Sequence, residues 1–291
     1  MTARLLLDTS SLTYRAFFAL PTSITAPDGR PVNAVRGYLD MTTRLVSDLS
    51  PEEVVHTFDA DWRPAPRVAA YPGYKAARLP DPEGLPQQFD LLREVLDAFG
   101  ALRAEAPGWE ADDAIATLCE RADPGDVVEV VTGDRDLLQL VRDGGDGQAI
   151  VRVLFTVKGV SALARFDDAA VRDKYGVPAA RYADFAALRG DPSDGLPGVK
   201  GVGEKTARTL VGSYASLPEL LADADAQTPR LAGALRDAGA YLAAMTEVVP
   251  VRRDVEVITH RAARDDAALD ALAQRHNLDS PIRRMREALD A

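Results

Sequence analysis

Arg4-Leu5-Leu6-Leu7-Asp8 reads as a short buried strand that ends on a carboxylate. Two later stretches repeat that form: Val54-Val55-His56-Thr57-Phe58-Asp59, and Val127-Val128-Glu129-Val130-Val131 with Asp134 just beyond it. Helical periodicity lies between them, over Val35 to Leu45, Gln88 to Phe99 and Ala111 to Arg121. Strands alternating with helices predict an α/β fold with a mainly parallel central sheet flanked by helices. Ligands of such sheets bind outside the carboxyl ends of the strands. A single aspartate there is readily explained as a turn residue or helix cap. Asp8, Asp59 and Asp134 at equivalent strand ends instead predict one shared crevice.

Further along, Gln148 to Phe155 reads as an edge strand, preceded by the turn residues Gly144, Gly145 and Gly147. From about Val171 the pattern is almost wholly helical, including Tyr182 to Leu188, Glu204 to Val211 and Leu231 to Glu247, with a β-like interruption over Val251 to Ile258. The expected division is an α/β domain over 1–170 and a helical region over 171–291. Trp62 to Pro86 differs from both, with six prolines, three aromatic residues and Arg63, Arg67, Lys75 and Arg78, so it is not one helix. A basic surface loop would have this composition, but its place directly after Asp59 suits a lid over substrate.

Composition sets the outer bounds. The 291 residues are 46% hydrophobic and 27% charged, ordinary values for a globular chain with a real core. Cys119 is the single cysteine, which excludes an internal disulfide. Neither a secretion signal nor an apolar run of membrane length is present, so a cytoplasmic protein without a membrane partner is expected. The net charge of −11 argues against a nucleic-acid partner unless many acids are gathered in one cation site and the basic residues are concentrated elsewhere, as at Arg181, Arg189, Lys200, Lys205 and Arg208.

The acids do fall in strings. Gly108-Trp109-Glu110-Ala111-Asp112-Asp113 opens a helix on which Asp112 shares the inward face of Ile115 and Cys119. Macrodipole and capping explain one or two acids in a first turn. They do not explain a carboxylate on the apolar face, which needs a cation or a hydrogen-bond network. With Thr132-Gly133-Asp134-Arg135-Asp136 and Gly190-Asp191-Pro192-Ser193-Asp194, the candidates are Asp8, Asp59, Glu110, Asp112, Asp113, Asp134, Asp136, Asp191 and Asp194. Like charges about 4 Å apart repel by roughly 1 kcal/mol per pair even in water. Clustering therefore calls for cations, and hard oxygen donors suit Mg²⁺ or Mn²⁺. Two such ions support in-line phosphodiester displacement.

The segment Gly195-Leu196-Pro197-Gly198-Val199-Lys200-Gly201-Val202-Gly203-Glu204-Lys205-Thr206-Ala207 supplies a phosphate cradle. Its Gly198 to Gly203 spacing matches a nucleotide-binding P-loop, but Glu204 intervenes before Lys205-Thr206 and no buried strand precedes it. A helix–hairpin–helix turn that grips a nucleic-acid backbone fits better, and such contacts read shape rather than base sequence.

These residues, in this order and over nearly the whole chain, resemble the structure-specific 5′ nucleases: flap endonucleases and the 5′-exonuclease domain of bacterial DNA polymerase I. The resemblance implies a PIN-like or resolvase-like catalytic domain and a helix–three-turn–helix motif over about 185–212. It assigns Asp8, Asp59, Glu110, Asp112 and Asp113 to one metal region and Asp134, Asp136, Asp191 and Asp194 to a second, with two or more Mg²⁺ or Mn²⁺ ions. Residues 62–86 become the arch over a single-stranded 5′ end. Lys75 and Arg78 at its base would stabilise charge on the scissile phosphate, joining Asp112 as catalytic residues. Tyr14 would stack on an unpaired base. Arg15 and Arg67 are further expected DNA contacts. Gly198, Lys200, Gly201, Gly203, Lys205 and Thr206 would hold the duplex backbone, where this family often carries K⁺. The family commonly has asparagine after the second aspartate of the acidic loop; this chain has Gly195.

The expected function is thus metal-dependent cleavage of DNA 5′ flaps and 5′ ends, including nicks and RNA-primed strands, in primer removal, replication and repair. With no polymerase following residue 291, a stand-alone monomer cooperating with a separate DNA polymerase and ligase is expected. Two other readings compete. A non-catalytic branched-DNA-binding protein would not need the complete acidic set, and a PIN-like RNase would not need the long helical region with its glycine-rich turn.

Overall fold

A computed structural model describes residues 3–145 and 147–291. Seven strands form one sheet: β1 (Ala3–Asp8), β2 (Glu53–Phe58), β3 (Leu102–Glu105), β4 (Val127–Thr132), β5 (Ile150–Thr156), β6 (Leu163–Phe166) and β7 (Ile258–His260). Their order is β6-β5-β4-β1-β2-β3-β7. The inner strands β5, β4, β1, β2 and β3 are mutually parallel, and β6 and β7 close the two edges antiparallel.

Leu5, Leu6 and Leu7 show why β1 is central. Side chains alternate along a strand, so Leu5 and Leu7 enter one core and Leu6 enters the other. An apolar run without polar alternation is what a strand covered on both faces requires. On the Leu5/Leu7 side lie the Asn33–Leu49 and Leu85–Ala98 helices, through residues including Tyr38, Leu39, Leu92 and Val95. On the Leu6 side lie Ala111–Glu120 and the helices from Tyr182–Arg189 to Gly239–Val248.

Three expectations need correction. The strand β5 is interior, because β6 pairs outside it along Val153 to Thr156. The stretch from Leu231 to Glu247 is two helices, Pro229–Asp237 and Gly239–Val248, separated at Ala238. In the β-like interruption only Ile258 forms strand, as the start of β7, which pairs with Arg103 to Glu105.

The last helices, Asp266–His276 and Asp279–Leu289, leave the helical region and pack on the Leu5/Leu7 side through Leu269, Leu272, Ile282 and Met285. The span 171–291 therefore contains two groups of helices on opposite faces of the sheet. Among the described residues, no helix is long and apolar enough to cross a membrane.

Candidate active site

The chain runs outward from β1 through β2 and β3, then restarts on the other side of β1 with β4 and β5. The boundary between β1 and β4 is thus the topological switch point, where the connections diverge and leave a crevice at the carboxyl ends. Asp8 and Asp134 sit there. Asp8 ends β1 and caps the next helix: its Oδ1 accepts the Ser11 N–H at 3.1 Å and its Oδ2 accepts the Thr132 hydroxyl at 2.6 Å. The Thr132 oxygen in turn accepts the Asp134 N–H at 2.9 Å, and Asp134 Oδ1 accepts that of Asp136 at 2.9 Å. On the other flank, Asp59 follows β2 and its Oδ1 accepts the Ala111 N–H at 2.7 Å.

Asp8, Asp59, Glu110, Asp112 and Asp134 line one cavity of 1030 Å³ together with Tyr14, Arg15, Lys75 and Arg78. Glu110 and Asp112 also line a small adjoining recess with Asp136 and Asp194. Asp191 lines neither space: its Oδ1 accepts the Ser193 N–H at 2.9 Å and its Oδ2 lies 3.9 Å from Arg189, although its charge helps to raise the Asp136 pKa.

Burial and mutual repulsion dominate the electrostatics. Burial, helped by Asp59 and Asp134, pushes Asp8 up to about 7. Burial also raises Asp112 well above the ordinary carboxylate range, with added repulsion from Asp134, Asp8 and Glu110, and it raises Asp136 and Asp59. Asp194 is pushed up to about 6, again chiefly by burial. Groups that resist ionisation through burial and crowding are those that a divalent cation would relieve.

The donor chemistry fits Mg²⁺ or Mn²⁺: hard carboxylate oxygens from several loops face one space. Among the described residues, however, no three such groups already form a ready cage. A protein cation stands in their midst. Lys75 pairs with Glu110 Oε1 and lies 3.9 Å from Asp194 Oδ2, while its N–H donates to the Asp194 carbonyl at 2.9 Å. Burial works against the Lys75 charge, but Glu110 and Asp194 outweigh it and hold its pKa above the ordinary value. Its backbone sits at φ 50°, an uncommon left-handed conformation for a residue with a side chain. Arg78 approaches Asp194 Oδ1 at 3.3 Å and stands 6.0 Å from the Trp62 ring centre. The base of the expected arch is therefore in the site.

Two expected residues are placed differently. Asp113 faces away from the cavity: it is fully buried, with Oδ1 and Oδ2 taking Arg67 N–H groups at 2.7 and 2.8 Å. It also accepts the Glu110 N–H at 3.2 Å and the Arg252 N–H at 2.8 Å. Adjacent helical positions point about 100° apart, and here Asp112 lines the crevice while Asp113 is turned onto Arg67 and the Arg252 N–H. Arg67, expected at the DNA surface, is 3% exposed.

The remaining expected contacts are accessible. Tyr14 packs against Phe89 with ring centres 6.0 Å apart and donates its hydroxyl to Asp81, while Arg15 donates to the Gly133 carbonyl at 3.1 Å. Lys200, Gly201, Gly203 and Lys205 are exposed around the start of the Glu204–Ser213 helix, with Thr206 partly covered. Gly198 has φ 69°, and a Cβ there would lie 2.5 Å from the Arg189 carbonyl oxygen, so only glycine permits this turn.

Sequence reasoning misses the supporting shell. Thr132 bridges Asp8 and Asp134, Tyr74 donates its hydroxyl to Glu110 Oε2 at 2.6 Å, and the Ser10 hydroxyl accepts the Asp59 N–H at 3.2 Å. Adjacency to the acidic strings and to Lys75 is their sole sequence signal.

Comparison with known proteins bears on the fold and the family. Residues 3–176 match the family model described as "5′-3′ exonuclease, N-terminal resolvase-like domain", and residues 177–271 match "5′-3′ exonuclease, C-terminal SAM fold". A 5′-3′ exonuclease of Streptomyces coelicolor is 48% identical, covering 99% of this chain and 100% of that protein. One of Mycobacterium tuberculosis is 45% identical, covering 98% and 97%. The same organism's DNA polymerase I is 45% identical over 86% of this chain but only 27% of the polymerase. Among solved structures, a bacteriophage T5 flap endonuclease with DNA and metal ions superposes with a TM-score of 0.67 at 16% identity, covering 99% of each chain. The catalytic core of Rad2 with DNA gives 0.61 at 16%, covering 99% and 92%. At those identities the likeness is one of fold. The chain belongs to the 5′-3′ exonuclease family.

Proposed function

We propose that this chain is a divalent-metal-dependent 5′ nuclease that cleaves DNA 5′ flaps and removes nucleotides from 5′ ends, leaving a 5′-phosphate and a 3′-hydroxyl. The observation that carries this reading is the meeting of Asp8, Asp59, Glu110, Asp112 and Asp134 around one cavity that Lys75 and Arg78 also line. Asp136, Asp191 and Asp194 complete the acidic surroundings, while Asp113 supports them from behind. Bound Mg²⁺ or Mn²⁺ would activate water and stabilise the leaving oxygen.

The protein's own groups account for substrate placement. Lys75 and Arg78 offer positive charge to the scissile phosphate, stabilising the charge that develops there. Tyr14 offers a ring on which an unpaired base can stack once its hydroxyl leaves Asp81. The exposed glycine-rich turn with Lys200 and Lys205 grips the duplex backbone, with K⁺ as an additional bridge, and confers recognition of shape. Primer removal and repair, beside a DNA polymerase and ligase in the cytoplasm, follow from this reading.

The test is cleavage of an end-labelled 5′-flap duplex beside matched single-stranded and blunt DNA, with Mg²⁺, Mn²⁺ or EDTA. Metal-dependent cutting near the junction supports the proposal. Binding of the flap without cleavage under every metal condition would favour a non-catalytic DNA-binding protein, and preferential cutting of single-stranded RNA would favour an RNase.

A further inference from the structure

The Arg67 guanidinium is saturated by its own protein. Its Nε donates to the Val248 carbonyl at 3.1 Å, and its terminal nitrogens hold both oxygens of Asp113, Glu110 Oε2 and, at 3.5 Å, the Pro250 carbonyl. The rings of Tyr74 and Trp109 flank it, each 5.9 Å from the guanidinium carbon. A planar fork with five donors satisfies such a set; a lysine ammonium does not.

The two oxygens of Glu110 are held differently. Oε2 is fixed by Arg67 and by the Tyr74 hydroxyl, both buried. Oε1 is held by Lys75, which lines the cavity with Glu110. Both cations are buried, but only Lys75 lines the cavity, so an ion entering there meets the Lys75–Glu110 Oε1 pair and not the Arg67–Glu110 Oε2 pair.

We infer that Arg67 is a positioning residue for cation binding: it pins Glu110 Oε2 and Asp113 to the Val248–Arg252 segment and thereby presents Glu110 Oε1 to the cavity. The inference rests on the proposed role of Glu110 as a metal ligand. It assigns no DNA contact to Arg67. Outer-shell partners that orient ligands typically govern metal affinity by about 10- to 100-fold.

Arg67→Gln tests this through Mn²⁺ binding by calorimetry and flap-DNA binding by fluorescence anisotropy in EDTA. The Mn²⁺ concentration at half-saturation is expected to rise about 10-fold or more, with DNA affinity in EDTA unchanged. Arg67→Lys should recover only part of the loss, because it restores charge without the fork. Should Arg67→Gln fail to fold, the double variant Arg67→Met with Asp113→Leu replaces the buried pair by apolar groups, an exchange that folds often tolerate. It leaves Glu110 Oε2 with the Tyr74 hydroxyl alone and is expected to weaken Mn²⁺ binding likewise. Unchanged Mn²⁺ binding in a folded variant, or loss of DNA affinity in EDTA, overturns the inference while leaving the nuclease proposal standing. Absence of Mn²⁺ binding in the wild type would instead overturn that proposal, and the inference with it.

Discussion

Thr132 donates its hydroxyl to Asp8 Oδ2 at 2.6 Å and accepts the Asp134 N–H at 2.9 Å, so one side chain couples the carboxylate segments on the two sides of the switch point. Thr132 is fully buried, while Asp8 and Asp134 both line the cavity. Thr132→Val keeps the shape and removes both bonds. A stability loss of about 1–3 kcal/mol is expected, together with a fall in cleavage of about 10-fold or more. Thr132→Ser, which keeps the hydroxyl, should stay close to wild type. Thermal melts and single-turnover cleavage of a flap duplex measure the two effects.

Asp112 faces Asp134, Asp8 and Glu110, each of which raises its pKa beyond the effect of burial. Asp112→Asn removes a repelled charge from a crowded cleft. The metal-free variant is expected to melt a few degrees higher, consistent with roughly 1 kcal/mol per relieved like-charge pair. Its cleavage should be lost, and its stabilisation by added Mn²⁺ should be smaller than in wild type. Retained metal-dependent cleavage in the purified variant would remove Asp112 from the site.

Gly195 has φ 72°, and a Cβ there would lie 2.6 Å from the Gly73 carbonyl oxygen. The acidic loop and the 62–86 segment are packed too closely there for an asparagine side chain. Gly195→Asn is therefore expected to cost about 1–3 kcal/mol and to disturb Lys75, whose N–H donates to Asp194. Melting curves check the first effect. Reduced cleavage with unchanged flap binding checks the second.

His56 is buried, and burial, with a smaller contribution from Arg103, lowers its pKa to about 3. Its Nδ1 lies 2.6 Å from the Tyr38 hydroxyl. Below about pH 6.5 the unfolded chain binds a proton at this histidine while the folded chain does not, so stability falls as the solution is acidified toward pH 3. The slope from this group approaches about 1.4 kcal/mol per pH unit. A His56→Gln variant lacks that contribution, so denaturant titrations from pH 7 to pH 4 should show a shallower loss than wild type.

The strands legible in the sequence are those whose burial on both faces demands uninterrupted apolar residues, as in Leu5-Leu6-Leu7 and Val127-Val128. Leu102-Arg103-Ala104-Glu105 carries too many charges to announce β3; its pairing with β2 and β7 is what makes it a strand. The acids around the crevice are legible because they recur at strand ends. Asp113 misleads because its partner Arg67 lies 46 residues away in sequence, and Arg67 misleads because a basic residue in a proline-rich segment looks exposed. The partners of Thr132 and Tyr74 are supplied by the fold, so their roles become visible only when β1 meets β4 and the 62–86 segment meets Glu110.

Mn²⁺ soaked into crystals of the protein and located by anomalous diffraction tests the carboxylate crevice most directly. At least two peaks are expected among Asp8, Asp59, Glu110, Asp112, Asp134, Asp136, Asp191 and Asp194, with Lys75 moved off Glu110 and none at Asp113. Ordered crystals saturated with Mn²⁺ but showing no peak between these side chains would contradict a metal-dependent nuclease site.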